Sequence, residues 1–101
     1  MIKIRVTGFE WDAGNTEKCQ KHGLSLDEIE DFFRQGNLYI APDIKHSQDE
    51  QRFLAAGKSP NGRHMFVVFT QRKREGDYLI RPISARYMHE REARKYDEES
   101  S

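Results

Sequence analysis

Apolar and polar positions follow two distinct rhythms along this chain. Residues 2–6 (IKIRV) alternate apolar and basic side chains, the period of a half-buried strand. After Phe9 and Trp11, Asp12 offers a side-chain oxygen to open a first helix over about 13–22, although Gly14 and Asn15 oppose one. The next helix is strongly written. Ser25 and Glu28 form an S-x-x-E capping box, Leu24 and Ile29 a hydrophobic staple, and Leu26, Ile29, Phe32 and Phe33 an apolar stripe that stops at Gly36. The rhythm then becomes extended. Strands are expected over 37–42, 52–59, 63–71 and 78–86, separated by a polar loop (43–51), a Pro-Asn-Gly turn (60–62) and a charged turn (72–77). Pro82 cannot donate to a sheet ladder, so its strand is an edge or is bulged there. A short charged helix closes the chain over 89–99, with His89 as N-cap, Glu92 three positions on and Tyr96 as anchor.

Short links between successive strands imply an antiparallel sheet, and its apolar face needs the helical pair as cover. The expected class is α+β, in one domain spanning 1–101. Composition limits the alternatives. The single cysteine, Cys19, excludes an internal disulfide and a CxxC zinc site, and it reads as a small half-buried apolar residue. No stretch approaches a membrane span, and Met1 leads into a charged strand in place of a signal peptide, so no membrane partner and a cytoplasmic chain are expected. His46 and His64 are too isolated for ligand spacing; no metal or other cofactor is expected.

The formal net charge of zero conceals an asymmetry. Residues 1–51 hold 6 Lys/Arg against 10 Asp/Glu, whereas residues 52–101 hold 11 against 7. That pattern fits either a basic face for a polyanion or ordinary solvated charge.

Several of these residues also carry a resemblance. FEWD (9–12), KHGLS (21–25), the acidic helix, EQRFLAAGKSPNGR (50–63), VVFT (67–70) and RPISAR (81–86) followed by Tyr96 resemble the BrnT toxin family, in order and over nearly the whole chain. The resemblance implies a RelE-like fold, with a helical pair on an antiparallel sheet. It also implies a ribonuclease that is neutralised by a BrnA-like antitoxin, with assembly into a higher-order complex. Metal-free RNA cleavage uses the substrate 2′-OH as nucleophile, and needs a base, a cation beside the phosphate and an acid for the 5′-oxygen. Lys21, His22, Arg81 and Arg86 are the catalytic candidates, with Arg52, Arg63 and Ser84 as substrate-binding candidates.

Each has a plainer alternative. Lys21 and His22 suit the negative end of a helix closed by Gly23, and Arg81 and Arg86 suit ion pairs. Five apart on a regular strand, those arginines face opposite ways, and a bulge at Pro82 would bring them together. A module that binds nucleic acid or protein without cleaving it, such as an inactive toxin relative acting with its antitoxin, remains the alternative.

Overall fold

The computed structural model describes residues 7–46 and 49–100, so the strand expected over 2–6 lies outside the described residues. The elements run α1 (Ala13–Gln20), α2 (Leu26–Arg34), β1 (Tyr39–Pro42), a 3-10 turn (Ile44–His46), β2 (Phe53–Lys58), β3 (His64–Arg74), β4 (Asp77–Tyr87) and α3 (Glu90–Ser100). The strands form one antiparallel sheet in the order β1-β2-β3-β4, and the fold is α+β.

The apolar stripe of α2 packs on one face of that sheet. Ile29, Phe32 and Phe33 are buried there against Met65, Val67 and Phe69, with the Phe33 and Phe69 rings edge-on at 5.1 Å. Gly57 of β2 permits this approach: a Cβ there would sit 2.8 Å from Leu38 Cδ2 and 3.4 Å from Phe32 Cε1. Trp11 packs against the same core and donates from Nε1 to Glu30 Oε2 at 2.8 Å, tying the chain before α1 to α2.

The capping box expected at Ser25 is only half made. Ser25 Oγ accepts from Glu28 N at 3.1 Å, but the Glu28 carboxylate turns to the hydroxyl of Tyr87, a long-range partner that local spacing cannot reveal. The complete box lies at α1. There Asp12 Oδ1 accepts from Gly14 N, and the Asn15 side chain accepts from Asp12 N at 2.9 Å. Asn15, which seemed to oppose the helix, instead fastens it to the sheet: it is 2% exposed, and its Nδ2 donates to Glu10 O (3.0 Å) and Pro82 O (2.8 Å). Its helix ends at Gln20, two residues earlier than expected, because Gly23 takes φ +92° and donates to Gln20 O.

The charged turn expected over 72–77 also contracts. Strands β3 and β4 continue as a ribbon to Arg74 and Asp77, and only Glu75 (φ +50°) and Gly76 (φ +89°) turn the chain. Positive φ at both positions is what a tight hairpin twisted like its strands requires. The run Arg72–Lys73–Arg74, half-buried at Arg72 and exposed at the other two, carries no apolar alternation to mark it as strand. Pro82 sits at a bulge, with Phe69 paired to Pro82, Val68 paired to Ser84 and Ile83 left over, and nearby the outer edge of β4 exchanges hydrogen bonds with Gly8 and Glu10 through Ile80.

Part of the charge asymmetry is offset in space where opposite charges from the two halves meet. Arg72 pairs with Glu50, Arg74 with Glu10, and Arg81 with Glu10 and Asp12. The second sheet face is partly covered. Phe66 and Val68 are half-buried, and α3 lies over one end of this face without a fully buried residue of its own. Polar contacts hold it. Arg86 makes a two-pronged pair with Glu92 (2.8 Å on each prong), His64 Nε2 meets Asp97 Oδ1 at 2.8 Å, and the Tyr96 ring stands edge-on to His64. Glu92 Oε1 also accepts from the His89 N–H, so His89 opens the helix through its backbone.

Two outcomes follow from these junctions. Asn15→Ala gains up to ~0.7 kcal/mol of helix propensity but strands the carbonyls of Glu10 and Pro82, at about 1–3 kcal/mol for an unsatisfied buried group. A net loss of stability in chemical denaturation is expected, and an unchanged midpoint would refute the role of Asn15 as a fastening. Arg86, and next the His89 N–H, hold the Glu92 carboxyl down at about 2. A carboxyl depressed on folding contributes stability above its ordinary range and loses it as pH falls through the folded value. NMR shifts of α3 should therefore drift toward coil as pH drops from ~5 to ~2, with a shallower drift in Glu92→Gln. Identical profiles for the two proteins would assign the docking to other contacts.

Candidate functional site

The second sheet face carries a groove of about 440 Å³, set on Leu54, Phe66 and Val68 and rimmed by His22, Asp43, Ser84, Arg86 and Glu92. Separate pieces of chain build its rim over a floor from β2 and β3. The turn after α1 supplies His22, β4 supplies Ser84 and Arg86, and the first turn of α3 supplies Glu92. The bulge at Ile83 sets the β4 contribution. Arg81 pairs with Thr70 and Arg86 with Phe66, two positions of the same parity on the regular strand β3, so both arginines emerge on one sheet face.

The two arginines have different surroundings. Arg86 lies above the Phe66 ring, its guanidinium carbon 4.9 Å from the centroid. Its Nη1 and Nη2 donate to the Glu92 carboxylate and Nη1 also to Tyr87 O, so the pair with Glu92 uses the Nη end of the fork and not Nε. Arg81 stands outside the groove. Its Nη1 donates to Glu10 Oε1 (3.2 Å) and Asp12 Oδ2 (2.9 Å), and its Nη2 to Asp12 Oδ1 (3.1 Å), so it clamps β4 to the start of α1. The hydrogen bond from Arg81 is the main cause holding the Asp12 carboxyl below its ordinary range, and the same bond raises the guanidinium further.

Lys21 is the C-cap of α1, in helical conformation, with its side chain in solvent. That is the helix-end geometry expected of it, and it also sets Lys21 directly beside the groove residue His22. Ser84 lines the groove; Arg52 and Arg63 do not. Arg52 directly precedes β2, where its carbonyl accepts from Asp43 N at 2.8 Å. Arg63 is exposed and stands over the Tyr87 ring, its guanidinium carbon 3.5 Å from the centroid. Sequence reasoning assigns Tyr87 no part and Glu28 only a cap, yet the Tyr87 hydroxyl donates to Glu28 Oε1 at 2.5 Å. Burial, and then that carboxylate, raise the Tyr87 hydroxyl above the ordinary tyrosine range. The only advance signal is the adjacency of Tyr87 to Arg86.

Cys19 is fully buried, and burial pushes its thiol up to about 11, so it packs as an inert apolar residue. Among the described residues no grouping of His, Cys, Asp and Glu is arranged to hold a metal ion, and no helix is long and apolar enough to cross a membrane.

The groove thus brings an imidazole, a hydroxyl and an oriented guanidinium over an apolar floor, with an ammonium at the neighbouring position. This set suits an anionic ligand with a flat, stackable part. No curated protein matches the chain. Residues 11–92 match the family described as "Ribonuclease toxin, BrnT, of type II toxin-antitoxin system", a span that includes α1, the groove-lining strands β2, β3 and β4, and the start of α3. On that match the chain belongs to the BrnT family of ribonuclease toxins of type II toxin–antitoxin systems.

Proposed function

We propose that this chain is an endoribonuclease toxin that cleaves RNA without a metal ion, inhibits translation in the cytoplasm and is neutralised by a BrnA-like antitoxin. Family membership over 11–92 gives the class of activity and implies an RNA substrate and an antitoxin partner. The observation that carries the chemistry is the convergence of His22, Ser84 and Arg86 on one groove.

In this reading an RNA strand lies across the groove with a base against Phe66 and Val68. The Nε edge of Arg86 holds a non-bridging oxygen of the scissile phosphate, and the Glu92 carboxylate keeps the guanidinium plane in position. His22 takes the proton of the 2′-OH as its oxygen attacks phosphorus. The bond from phosphorus to the 5′-oxygen breaks, and that oxygen receives a proton from the Lys21 ammonium, leaving a 2′,3′-cyclic phosphate. Ser84 hydrogen-bonds the phosphate. Arg81 serves by anchoring α1, and so the turn bearing Lys21 and His22, to β4.

The antitoxin silences such a site by covering the groove. An acidic or amphipathic segment would pair with the cations and bury the apolar floor, the first aiding encounter and the second residence time. A binding-only reading draws on one observation: Arg81 and Arg86 already hold carboxylates.

Cleavage of a long RNA in the presence of a chelator, measured alongside melting, separates the two readings. His22→Ala and Arg86→Ala should lower the rate about 10²–10³-fold. Lys21→Ala should lose activity while changing stability by no more than the ~0.3–1 kcal/mol of a helix-end charge. Arg81→Ala should lose both stability and rate. RNA binding without cleavage by the wild-type protein, or wild-type rates in folded His22→Ala and Arg86→Ala, would leave binding as the function.

A further inference from the structure

Arg63, Tyr87 and Glu28 form a stack that the groove chemistry does not use. Arg63 follows the turn over 59–62, which Gly62 (φ +86°) and the bond from Gly62 N to Ser59 O hold closed. Its guanidinium carbon stands 3.5 Å above the centre of the Tyr87 ring, closer than the other cation–ring contacts of the described residues and a separation that fits parallel stacking, since an edge-on N–H would need more room. The ring is itself fixed. Its hydroxyl donates to Glu28 Oε1 at 2.5 Å, and Glu28 Oε2 is shielded from solvent with no hydrogen-bond partner among the described residues. A carboxylate held this way cannot swing out to pair with Arg63. Among the described residues the guanidinium forms no ion pair, in contrast to Arg72, Arg74, Arg81 and Arg86.

A guanidinium lying flat on an aromatic ring has its N–H donors in its own plane, pointing outward. It is a planar fork fixed in direction and left with an unmatched charge. We propose that Arg63 binds a backbone phosphate of RNA flanking the scissile one, and that Tyr87, braced by Glu28, is a positioning residue that presents it. This rests on the reading above that the substrate is RNA. The flanking location follows from β4. Tyr87 and Arg86 are consecutive, so their side chains leave opposite faces, and the stack stands around the end of the strand from the groove.

Such a contact is made equally in ground and transition states, so it acts on KM and leaves kcat in place. The proposal is tested by binding to a single-stranded 2′-O-methyl oligonucleotide, which cannot be cleaved, so the result does not depend on whether the protein is catalytic. Arg63→Ala should weaken binding about tenfold or more and flatten the slope of log affinity against log salt by about 0.7, the value for one phosphate on a single strand. Arg63→Lys should keep most of the slope but recover little of the affinity, because an ammonium neither stacks flat nor forks. Tyr87→Phe should retain more affinity than Tyr87→Leu, and Tyr87→Leu should add little loss once Arg63 is alanine, since both remove one interaction. With cleavable RNA the same variants should raise KM at nearly constant kcat.

Wild-type affinity and salt slope in Arg63→Ala would overturn the phosphate contact. Full recovery by Arg63→Lys, or additive losses at positions 63 and 87, would overturn the positioning role of Tyr87. Arg63 is exposed, so its variants test the proposal even if Tyr87→Leu does not fold. A wild-type protein that binds the oligonucleotide through Arg63 but cleaves no RNA would refute the ribonuclease reading alone.

Discussion

The hydrogen bond from Asn15 Nδ2 to the carbonyl of Pro82 joins the two features on which the rest of the site depends. Pro82 has no N–H to give its neighbouring strand, and the ladder slips by one residue beside it. A slip in a strand usually exposes a carbonyl. Here a buried amide from the first helix takes it up, and the same amide completes the cap that starts that helix. The register of β4 and the placement of α1 are therefore one structural decision. Arg81, beside the slip, adds its two carboxylates to the same joint.

This joint explains what the amino-acid sequence discloses and what it withholds. The apolar stripe of α2 and the strand runs are legible because burial against one sheet face imposes periods of 3.6 and 2 on neighbouring residues. The bulge is legible in principle, since proline in a strand demands one. The role of Asn15 is not, because its two acceptors lie at Glu10 and Pro82 and only the fold brings the latter near. The Ser25-x-x-Glu28 spacing misleads for the same reason: Tyr87, distant in the chain, outcompetes the local backbone for the carboxylate.

The candidate site is legible by residue type and not by arrangement. The arginines, the Lys-His turn and Ser84 stand out in the sequence as phosphate chemistry, and the groove gathers His22, Ser84 and Arg86 from them. Which guanidiniums carry carboxylates depends on pairings across the fold, some between the two halves (Arg81 with Glu10 and Asp12) and some within the second (Arg86 with Glu92), and composition cannot assign those. Arg81 and Arg86 look alike in the RPISAR motif. In space one is a clamp at a helix start and the other a rim residue above an aromatic ring.

The way α3 is attached has a consequence for how stability is distributed. With no fully buried residue, this helix adds little to the cooperative core, and its free energy of local opening lies toward the low end for the molecule. Opening of that kind exchanges ion pairs and the Tyr96–His64 ring contact for water, while the sheet and the α1–α2 layer stay folded. The groove thus has one wall of different stiffness from the others. Glu92 rides on the segment expected to open first, whereas Ser84 and Arg86 ride on a strand of the central sheet.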